Sequence, residues 1–505
     1  MRSRTRPARP AGKPIPARAL LDPLAVLFAG ADRTPRRICD MQQPIDLLKR
    51  HYDEFGQGHV FRFWNQLDEA ARQALARQAA AIELAELRRV HEHTRSLASP
   101  GARNLEPAPV ECLPAYGGSP ARRAEARERG EALLRGGRVA VMVVAGGQGT
   151  RLGFEGPKGV FPLGPVTGRT LFELHAQKIR GARRRFTAQI PWYVMTSPAT
   201  DAPTRAYFAE QKYFGLPRED VYFLCQSMAP ALDFEGRLLL ESRGRIAESP
   251  NGHGGSFEAL ADSGALDDMS ARGITTISYY QVDNPLIQLA DPVFLGLHDR
   301  AGAEMSAKVV RKLDPLEKVG VLARVDGHIG IVEYTEIDDE HRYQKDASGE
   351  LVYWAGSIAI HALDVAFARR IAADAERYLP YHASAKKIPF IDADGRAVKP
   401  AEPNGHKLER FLFDALPAAQ HVALVEVARE DEYAPVKNAA GGDSPQTARE
   451  ALDALARRWL AVGAIKVPTD QWVEIDHAKV DGEEDMRAGV RRAQDAGLVL
   501  ASRTK

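Results

Sequence analysis

Residues 139–159 of this 505-residue chain read VAVMVVAGGQGTRLGFEGPKG, and this stretch decides the fold. Its first seven residues are apolar and mostly β-branched, which predicts a strand buried on both faces, as in a parallel sheet. Glycines follow at once, together with Arg151 and Lys158. Because glycines let a backbone approach closely, a loop after a strand can wrap its N–H groups around phosphates. The sequence therefore predicts an anion-binding loop at a strand end.

Two common phosphate-binding loops do not match this stretch. A Walker loop requires GxxxxGK followed by Ser or Thr, but Lys158 lies between Pro157 and Gly159. A dinucleotide fingerprint requires GxGxxG and an acid at the end of the second strand. Here the third glycine, Gly153, comes one residue too late, and the nearby Glu173 falls in a helical pattern. A glycine turn without a ligand remains as the structural alternative.

Strand and helix patterns alternate on the C-terminal side of this loop. This order predicts a doubly wound α/β domain. The predicted strands cover 191–196, 221–225 and 274–282, and the predicted helices cover 170–184, 202–214 and 256–269. Closely spaced strand patterns over 307–361 predict a mixed-sheet extension, and a helix is expected over 447–462.

The same patterns suggest four segments. Residues 1–43 are rich in Arg, Pro and Ala and poor in acids, which is typical of a transit peptide or of an unstructured extension. We favour the extension. Helical spacing predicts an N-terminal segment over 44–135, interrupted by a proline-rich loop over 99–120. The catalytic α/β domain is expected over 136–400 and a smaller C-terminal region over 401–505.

Composition excludes several classes of protein. A formal net charge of +1 argues against a dedicated nucleic-acid binder, which shows a strongly basic face. The three cysteines are odd in number and far apart, so neither a disulfide framework nor a zinc site is expected. No apolar run approaches the roughly 18 residues of a membrane span. We expect a cytoplasmic protein with no membrane or nucleic-acid partner; its oligomeric state is not predicted.

Blocks along about residues 45–449 resemble the eukaryotic-type UDP-sugar pyrophosphorylases, closest to the UDP-N-acetylhexosamine pyrophosphorylases. The family loop GGxGTRLGxxxPKG is matched without a gap over 146–159. Further similar blocks are WYVMTS (192–197), PNGHGG (250–255), VDNPLIQLADPVF (282–294), AGSIAIH (355–361), PNGHKLERFLFD (403–414) and VKNA (436–439). The resemblance implies a Rossmann-like, GT-A-like nucleotidyltransferase domain.

The resemblance also implies a reaction. A sugar 1-phosphate would attack the α-phosphorus of UTP in line, giving a UDP-sugar and pyrophosphate, with Mg²⁺ or alternatively Mn²⁺ as cofactor. Such a reaction needs alignment and neutralised charge more than covalent help. By this resemblance the catalytic residues are Arg151, Lys158 and Lys437. The implied nucleotide-binding residues are Gly146, Gly147, Gly149, Thr150, Gln226, Gly252, His253 and Asp283, of which Asp283 also binds the metal.

Asn284, Glu333 and Ser357 are the implied sugar-binding residues. Two positions depart from the hexosamine enzymes, since His253 and Ser357 stand where that family has asparagine. The order of the similar blocks favours N-acetylglucosamine 1-phosphate or N-acetylgalactosamine 1-phosphate as substrate, whereas these two departures leave glucose 1-phosphate as the alternative. A catalytically silent UDP-sugar-binding protein is the alternative from another class, and an NAD-linked oxidoreductase is a third.

Overall fold

The computed structural model describes residues 42–96, 104–113, 120–490 and 492–503. The extension predicted over 1–43 therefore lies outside the described residues, except for its last two. Contacts between backbone positions divide the chain into two compact units. Unit 1 consists of Met1–His93, Pro230–Glu248 and Ala385–His406, and unit 2 of Thr94–Ala229, Ser249–Ser384 and Lys407–Lys505. The units interleave along the chain, and the consecutive domain boundaries expected from the sequence stay predictions.

Unit 1 contains the predicted N-terminal helices and several short strands. Tyr52 on the first helix donates a hydrogen bond to the carbonyl oxygen of Ala79 at 2.9 Å, which ties the first two helices together. Its elements are α1 (Gln42–Glu54), α2 (Glu69–Ala80) and α3 (Leu84–Ser96), with the hairpin strands Leu240–Ser242 and Arg245–Ile246 and the strands Phe390–Ile391 and Ala397–Val398.

A central mixed sheet forms the framework of unit 2. Its strands are β1 (Leu105–Pro107), β2 (Val110–Glu111), β3 (Val139–Val144), β4 (Trp192–Thr196), β5 (Val221–Cys225), β6 (Thr276–Gln281), β7 (Met305–Arg311), β8 (Val321–Val325), β9 (His328–Val332), β10 (Ala355–Asp364) and β11 (Val422–Glu426). Short strands also lie at Met228–Pro230, Glu248–Pro250, Tyr381–Lys386 and Gly405–Arg410, and the strand Leu232–Asp233 belongs to unit 1.

The strand order of the sheet is β2-β11-β7-β10-β6-β3-β4-β5. The neighbours β6, β3, β4 and β5 are all parallel, whereas β10 runs antiparallel to both β6 and β7. The strands β8, β9 and β1 extend the sheet beside β10. This arrangement confirms the predicted parallel core with its mixed-sheet extension.

Helices cover both faces of the sheet. In β3, Val141 and Val143 pack into one hydrophobic core and Met142 into the other, as a strand buried on both faces requires. One face carries α4 (Pro120–Arg135), α5 (Leu171–Phe186), α6 (Asp201–Glu210) and α9 (Pro292–Arg300); the other carries α7 (Ser256–Asp262), α8 (Ala265–Ala271) and α11 (Val365–Ala373). The doubly wound α/β fold is confirmed.

Five further α-helices and one pair of antiparallel strands, called the C-terminal hairpin, complete the described part of unit 2. They are α10 (Asp339–Tyr343), α12 (Ala375–Tyr378), α13 (Arg429–Glu432), α14 (Pro445–Val462), α15 (Glu483–Ala488) and the antiparallel pair Gln471–Glu474 with Val499–Ser502. The last helices and the hairpin share a small core around Leu460 and Val473. None of the described helices combines the length and the apolar character that a membrane span needs.

Three predicted elements differ in detail. The loop expected over 99–120 contains β1 and β2, because such short strands take their hydrogen bonds from sheet partners rather than from local pattern. The helix expected over 256–269 is two helices, separated at Gly264, whose φ of +77° breaks the helical path. Within the strand patterns expected over 307–361, residues 351–354 form a bridge and a turn, and β10 begins at Ala355.

Candidate functional site

The glycine loop, residues 146–159, leaves the carboxyl end of β3 and closes on itself. Gly149 donates its N–H to the carbonyl of Gly156 at 2.9 Å, and Lys158 donates its N–H to that of Gly147 at 3.0 Å. The N–H groups of Gly147 and Gln148 find no acceptor within the described part of the chain. The loop therefore presents free backbone donors of the kind that phosphate oxygens accept.

Three glycines of this loop differ in what a side chain would meet at their positions. A Cβ at Gly149 would lie 2.7 Å from the ring of Phe154, and one at Gly159 would lie 2.1 Å from the ring of Phe172. A Cβ at Gly147 would meet no atom within 4 Å. Packing thus explains Gly149 and Gly159, whereas Gly147 faces open space where a ligand can approach.

The Asp283 loop, residues 282–289, leaves β6 beside the glycine loop, because β6 pairs in parallel with β3 and Gln281 lies opposite Val144. Lys158 Nζ donates to Asp283 Oδ2 at 2.9 Å, and the two side chains are 17% and 14% exposed. Burial alone would raise the pKa of Asp283, but the charges of Lys158 and Lys437 outweigh it and lower that pKa. The predicted loop cation and the predicted metal ligand are therefore direct partners.

A cavity of about 140 Å³ opens beside this ion pair. The residues that line this cavity come mainly from β6, the Asp283 loop, β10 and the segment after α13. The lining residues are His253, Tyr280, Gln281, Asp283, Asn284, Lys318, Val319, Gly320, Ile331, Glu333, Ser357, Ile358, Ala359, Ile360, Phe413, Tyr433, Pro435 and Lys437. Six of the predicted site residues are among them.

Glu333 and Ser357 lie at one end of the cavity. The backbone N–H of Ser357 donates to the carbonyl of Gly320 at 2.8 Å, and a Cβ at Gly320 would lie 3.2 Å from Glu333 Oε1. Burial and the neighbouring Glu336 raise the pKa of Glu333. Glu333 is half-buried and follows the last residue of β9. A half-buried carboxylate that faces a cavity is suited to accept hydrogen bonds from hydroxyl groups.

His253 lines the cavity, and one of its two ring nitrogens already accepts a hydrogen bond from the backbone. The N–H of Leu412 donates to His253 Nδ1 at 3.0 Å, so the neutral ring carries its proton on Nε2. Burial lowers the pKa of His253 to about 4, and the ring stacks on Phe411 with 5.4 Å between centroids. His253 is therefore a neutral hydrogen-bond donor at neutral pH.

Lys437 lies at the cavity end that contains Asp283. Its Nζ lies 3.1 Å from the hydroxyl of Tyr433 and 3.7 Å from Asp443 Oδ2. Burial would lower the pKa of Lys437, but the oxygen of Tyr433 and the carboxylates of Asp283 and Asp443 raise it. The side chain stays protonated, so Lys158 and Lys437 are both cations beside Asp283.

Other predicted residues border the cavity or stay outside it. A Cβ at Gly146 would lie 3.3 Å from the amide of Gln226, which places this buried glutamine against the glycine loop. A Cβ at Gly252 would lie 2.5 Å from the carbonyl oxygen of Arg410, so only glycine fits there. Thr150 and Arg151 are exposed on the glycine loop and do not line the cavity.

Asn284 lines the cavity but uses its amide to hold backbone. Nδ2 donates to the carbonyl of Glu432 at 2.7 Å, and Oδ1 accepts from the N–H of Ala434 at 3.2 Å. These bonds leave one amide proton for a ligand. Asn284 thus joins the Asp283 loop to the segment that carries Tyr433 and Lys437.

Three buried basic residues bond to the loops around the site and were not identified from the sequence, namely the neutral His175 and the lysines Lys178 and Lys308. Lys178 and His175 on α5 bond to carbonyls of the Asp283 loop, and Lys308 forms ion pairs with Asp291 and Glu432. A signal was present for the first two residues, since they continue the apolar helical stripe that begins at Leu171. A polar residue in such a stripe indicates a buried partner.

The site has the donor set for Mg²⁺ bound together with a triphosphate. Mg²⁺ takes one or two carboxylates and several phosphate or water oxygens. Asp283 provides a carboxylate at the cavity wall, next to the free N–H groups that would hold phosphates. Within the described ranges no cluster of three or more acidic, His or Cys side chains forms a metal site by itself. The residues therefore fit a metal that arrives with its nucleotide.

Comparison with known proteins gives matches over most of the chain. The family model described as UTP–glucose-1-phosphate uridylyltransferase matches residues 104–442. UDP-N-acetylhexosamine pyrophosphorylase-like protein 1 of Xenopus tropicalis is 41% identical over 427 residues, which are 81% of this chain and 84% of the relative. UDP-N-acetylglucosamine pyrophosphorylase of Saccharomyces cerevisiae is 40% identical over 339 residues, 65% of this chain and 71% of the relative.

A solved structure is similar over a comparable length. The crystal structure of uridine diphosphate N-acetylglucosamine pyrophosphorylase from Trypanosoma brucei, in complex with an inhibitor, superposes with a TM-score of 0.75. It is 31% identical and covers 88% of this chain and 94% of its own. Sequence and fold therefore point to the same relatives.

Proposed function

The chain belongs to the UTP–glucose-1-phosphate uridylyltransferase family, and we propose that it transfers the uridylyl group of UTP to N-acetylglucosamine 1-phosphate. Membership confirms the resemblance seen in the sequence blocks and makes the chain a UTP–sugar-1-phosphate uridylyltransferase. The proposed sugar rests on the names of relatives that are 40% and 41% identical. The observation that carries the reaction is the Lys158–Asp283 ion pair, which joins the glycine loop to the cavity.

Each group has a proposed role in the displacement at the α-phosphorus. The N–H groups of the glycine loop hold the triphosphate, and Arg151 reaches the leaving pyrophosphate from its exposed position. Lys158 neutralises charge that grows at the α-phosphate, and Lys437 holds the attacking sugar phosphate. His253 donates from Nε2 toward the nucleotide, and the buried Gln226 contacts the nucleotide from its position near Gly146. Glu333 and Ser357 bind sugar hydroxyls.

Asp283 is the residue that we propose to hold Mg²⁺, with Mn²⁺ as the alternative ion. Bound there, the ion would supply positive charge to the phosphate oxygens. Because Lys158 and Lys437 lower the pKa of Asp283, its carboxylate is ionised at neutral pH and ready to bind a cation. The lysines also compete with the metal, so nucleotide phosphates must draw Lys158 away from Asp283.

A cytoplasmic location is also proposed. Cys112 and Cys225 are free thiols in the structure, as in a reducing compartment. Substrates and products are the proposed partners, and no other partner is proposed.

The decisive experiment offers the purified protein UTP, Mg²⁺ and a panel of sugar 1-phosphates, and measures pyrophosphate release. The panel contains N-acetylglucosamine, N-acetylgalactosamine and glucose 1-phosphates. We expect the highest kcat/KM with N-acetylglucosamine 1-phosphate. A preference for glucose 1-phosphate would contradict the proposed sugar and would agree with His253 and Ser357, which depart from the hexosamine enzymes.

Two other outcomes would replace the proposed function. Tight binding of UDP-sugars without turnover in Mg²⁺ would indicate a binding protein. Binding of NADH, measured by its fluorescence, would indicate an oxidoreductase. Neither outcome is expected, since Asp283 and Lys437 line one cavity and Lys158 forms an ion pair with Asp283.

A further inference from the structure

Lys178, a buried lysine of α5, holds the Asp283 loop from below the cavity. Its Nζ donates to the carbonyl oxygen of Pro285 at 2.6 Å and to that of Ile287 at 2.8 Å. The residue is only 2% exposed and does not line the cavity. A lysine is rarely buried so completely, which indicates a specific task for these bonds.

The loop needs such donors because it is itself buried. Leu286 and Ile287 are both shielded from water, and a buried carbonyl without a hydrogen-bond donor destabilises the fold. The two carbonyls that Lys178 binds belong to residues two positions apart, so the chain between them bends around one ammonium group. That bend sets the direction in which the loop leaves Asp283.

His175, one helical turn before Lys178, fixes the loop on the other side of Asp283. Its Nε2–H donates to the carbonyl of Val282 at 3.0 Å, and burial lowers its pKa to about 3, so the ring is neutral. Residues on one face of α5 therefore form hydrogen bonds to the chain both before and after Asp283.

The burial of this charge is unfavourable by itself. Burial lowers the pKa of Lys178 to about 8, and the carboxylates of Asp481 and Glu432 oppose that change. An apolar residue of similar volume at such a position is often neutral or stabilising. The buried charge itself therefore adds little stability, and what the lysine supplies at position 178 is a pair of donors that fixes the geometry of the loop.

We propose that Lys178 is a positioning residue for Asp283. Through the carbonyls of Pro285 and Ile287 it holds the Asp283 carboxylate where that group meets Lys158 and a divalent cation. As far as turnover is concerned, this inference rests on the proposed function.

The test compares Lys178→Met, which keeps the volume and removes all donors, with the wild-type protein. Mn²⁺ binding in the presence of UTP is measured by electron paramagnetic resonance, and UDP-N-acetylglucosamine binding in EDTA by calorimetry. We expect Mn²⁺ affinity to fall about 10-fold and kcat about 100-fold, since groups that orient metal ligands have effects of this size. UDP-sugar affinity in EDTA should stay within about threefold, because the glycine loop and Gln226 are unchanged.

A matched control separates positioning from loss of stability. Leu379→Ala removes a fully buried side chain from the other core of unit 2, away from both loops. At temperatures where both variants are folded, Leu379→Ala should bind Mn²⁺ like the wild type. Wild-type Mn²⁺ affinity in Lys178→Met would overturn the inference.

Two further outcomes are decided in advance. If Lys178→Met does not fold, Lys178→Gln, which keeps a shorter neutral donor, replaces it; reduced Mn²⁺ affinity supports the inference and wild-type affinity refutes it. If the wild type releases no pyrophosphate with any sugar 1-phosphate, the proposed function fails. The Mn²⁺ comparison would still decide the role of Lys178, because it measures binding rather than turnover.

Discussion

The glycine loop and the Asp283 loop leave neighbouring parallel strands at the same edge of one sheet, but they are built in opposite ways. The glycine loop bonds mainly to itself and exposes Thr150 and Arg151. The Asp283 loop is buried and bonds to α5 on one side and to residues 432–436 on the other. One loop is open and local, and the other is enclosed and depends on distant partners.

This difference follows from what each loop has to present. Backbone N–H groups are available wherever glycines let the chain curl, so a loop that binds phosphates through them needs few side-chain partners. A single carboxylate must be held in one direction against two cations, and this requires donors fixed by packing. We expect substitutions of the groups that the first loop presents to ligands to affect mainly the rate, and substitutions in the second loop to affect both rate and stability.

The largest expected effect comes from Lys158→Ala, which breaks the link between the two loops. Removal of a charge that acts on the developing transition state should lower kcat/KM by about 10²–10³-fold. Pyrophosphate release measures the rate, whereas the free energy of unfolding should fall by only about 1 kcal/mol, because Lys437 still offsets the charge of Asp283. Lys345→Ala removes an exposed lysine elsewhere and serves as the control. An unchanged rate in Lys158→Ala would contradict the proposed site.

Asp283→Asn tests the enclosed loop and should lower the free energy of unfolding by about 1–3 kcal/mol at pH 7. The reason is that Lys158 and Lys437 lose their shared carboxylate partner. Urea unfolding measures the loss, and pyrophosphate release should fall as well. An equally stable Asn variant would show that the ion pair contributes nothing to the folded state.

The same pair predicts a pH dependence. The pKa of Asp283 is lower in the folded chain than its ordinary value of 3.8, so its stabilising effect is complete well above pH 3.8. That effect is lost as the pH falls through the folded pKa. The difference in unfolding free energy between wild type and Asp283→Asn should be constant from pH 6 to 8 and shrink below about pH 4. A difference that shrinks near neutral pH would contradict the lowered pKa.

A smaller effect distinguishes two glycines within the open loop. Gly149→Ala places a methyl group against Phe154 and should destabilise the fold by about 1–3 kcal/mol. Gly147→Ala meets no protein atom, so it should unfold like the wild type while turnover falls about 10-fold, because the methyl group occupies ligand space. Wild-type turnover in Gly147→Ala would show that phosphates do not approach there.

Much of the fold could be predicted because its signals are local. The apolar run of β3, the glycines after it and the repeated strand and helix patterns predicted the parallel core and the position of the glycine loop. The short strands β1 and β2 were not predicted, since two or three residues carry no period of their own. The break at Gly264 was missed because one glycine inside a helical pattern is often tolerated.

The candidate site could be predicted in part. The sequence resemblance named residues of both loops, and the structure brings Asp283, Glu333, Ser357 and Lys437 to one cavity. The sequence resemblance could not show that both the nitrogen and the oxygen of the Asn284 amide bond to backbone, nor that His253 carries its proton on Nε2. Those facts depend on residues more than one hundred positions away, and local pattern does not encode them.

By itself, the sequence determined which groups are present. They are glycines that follow a buried strand, two cations in the same glycine loop, and a carboxylate at the end of a second strand. Only the tertiary structure decided their partners, namely Lys158 with Asp283 and Lys178 with the carbonyls beyond it. The physical reason is distance along the chain. Local geometry follows from neighbouring residues, whereas an ion pair between positions 158 and 283 exists only after β3 and β6 have paired.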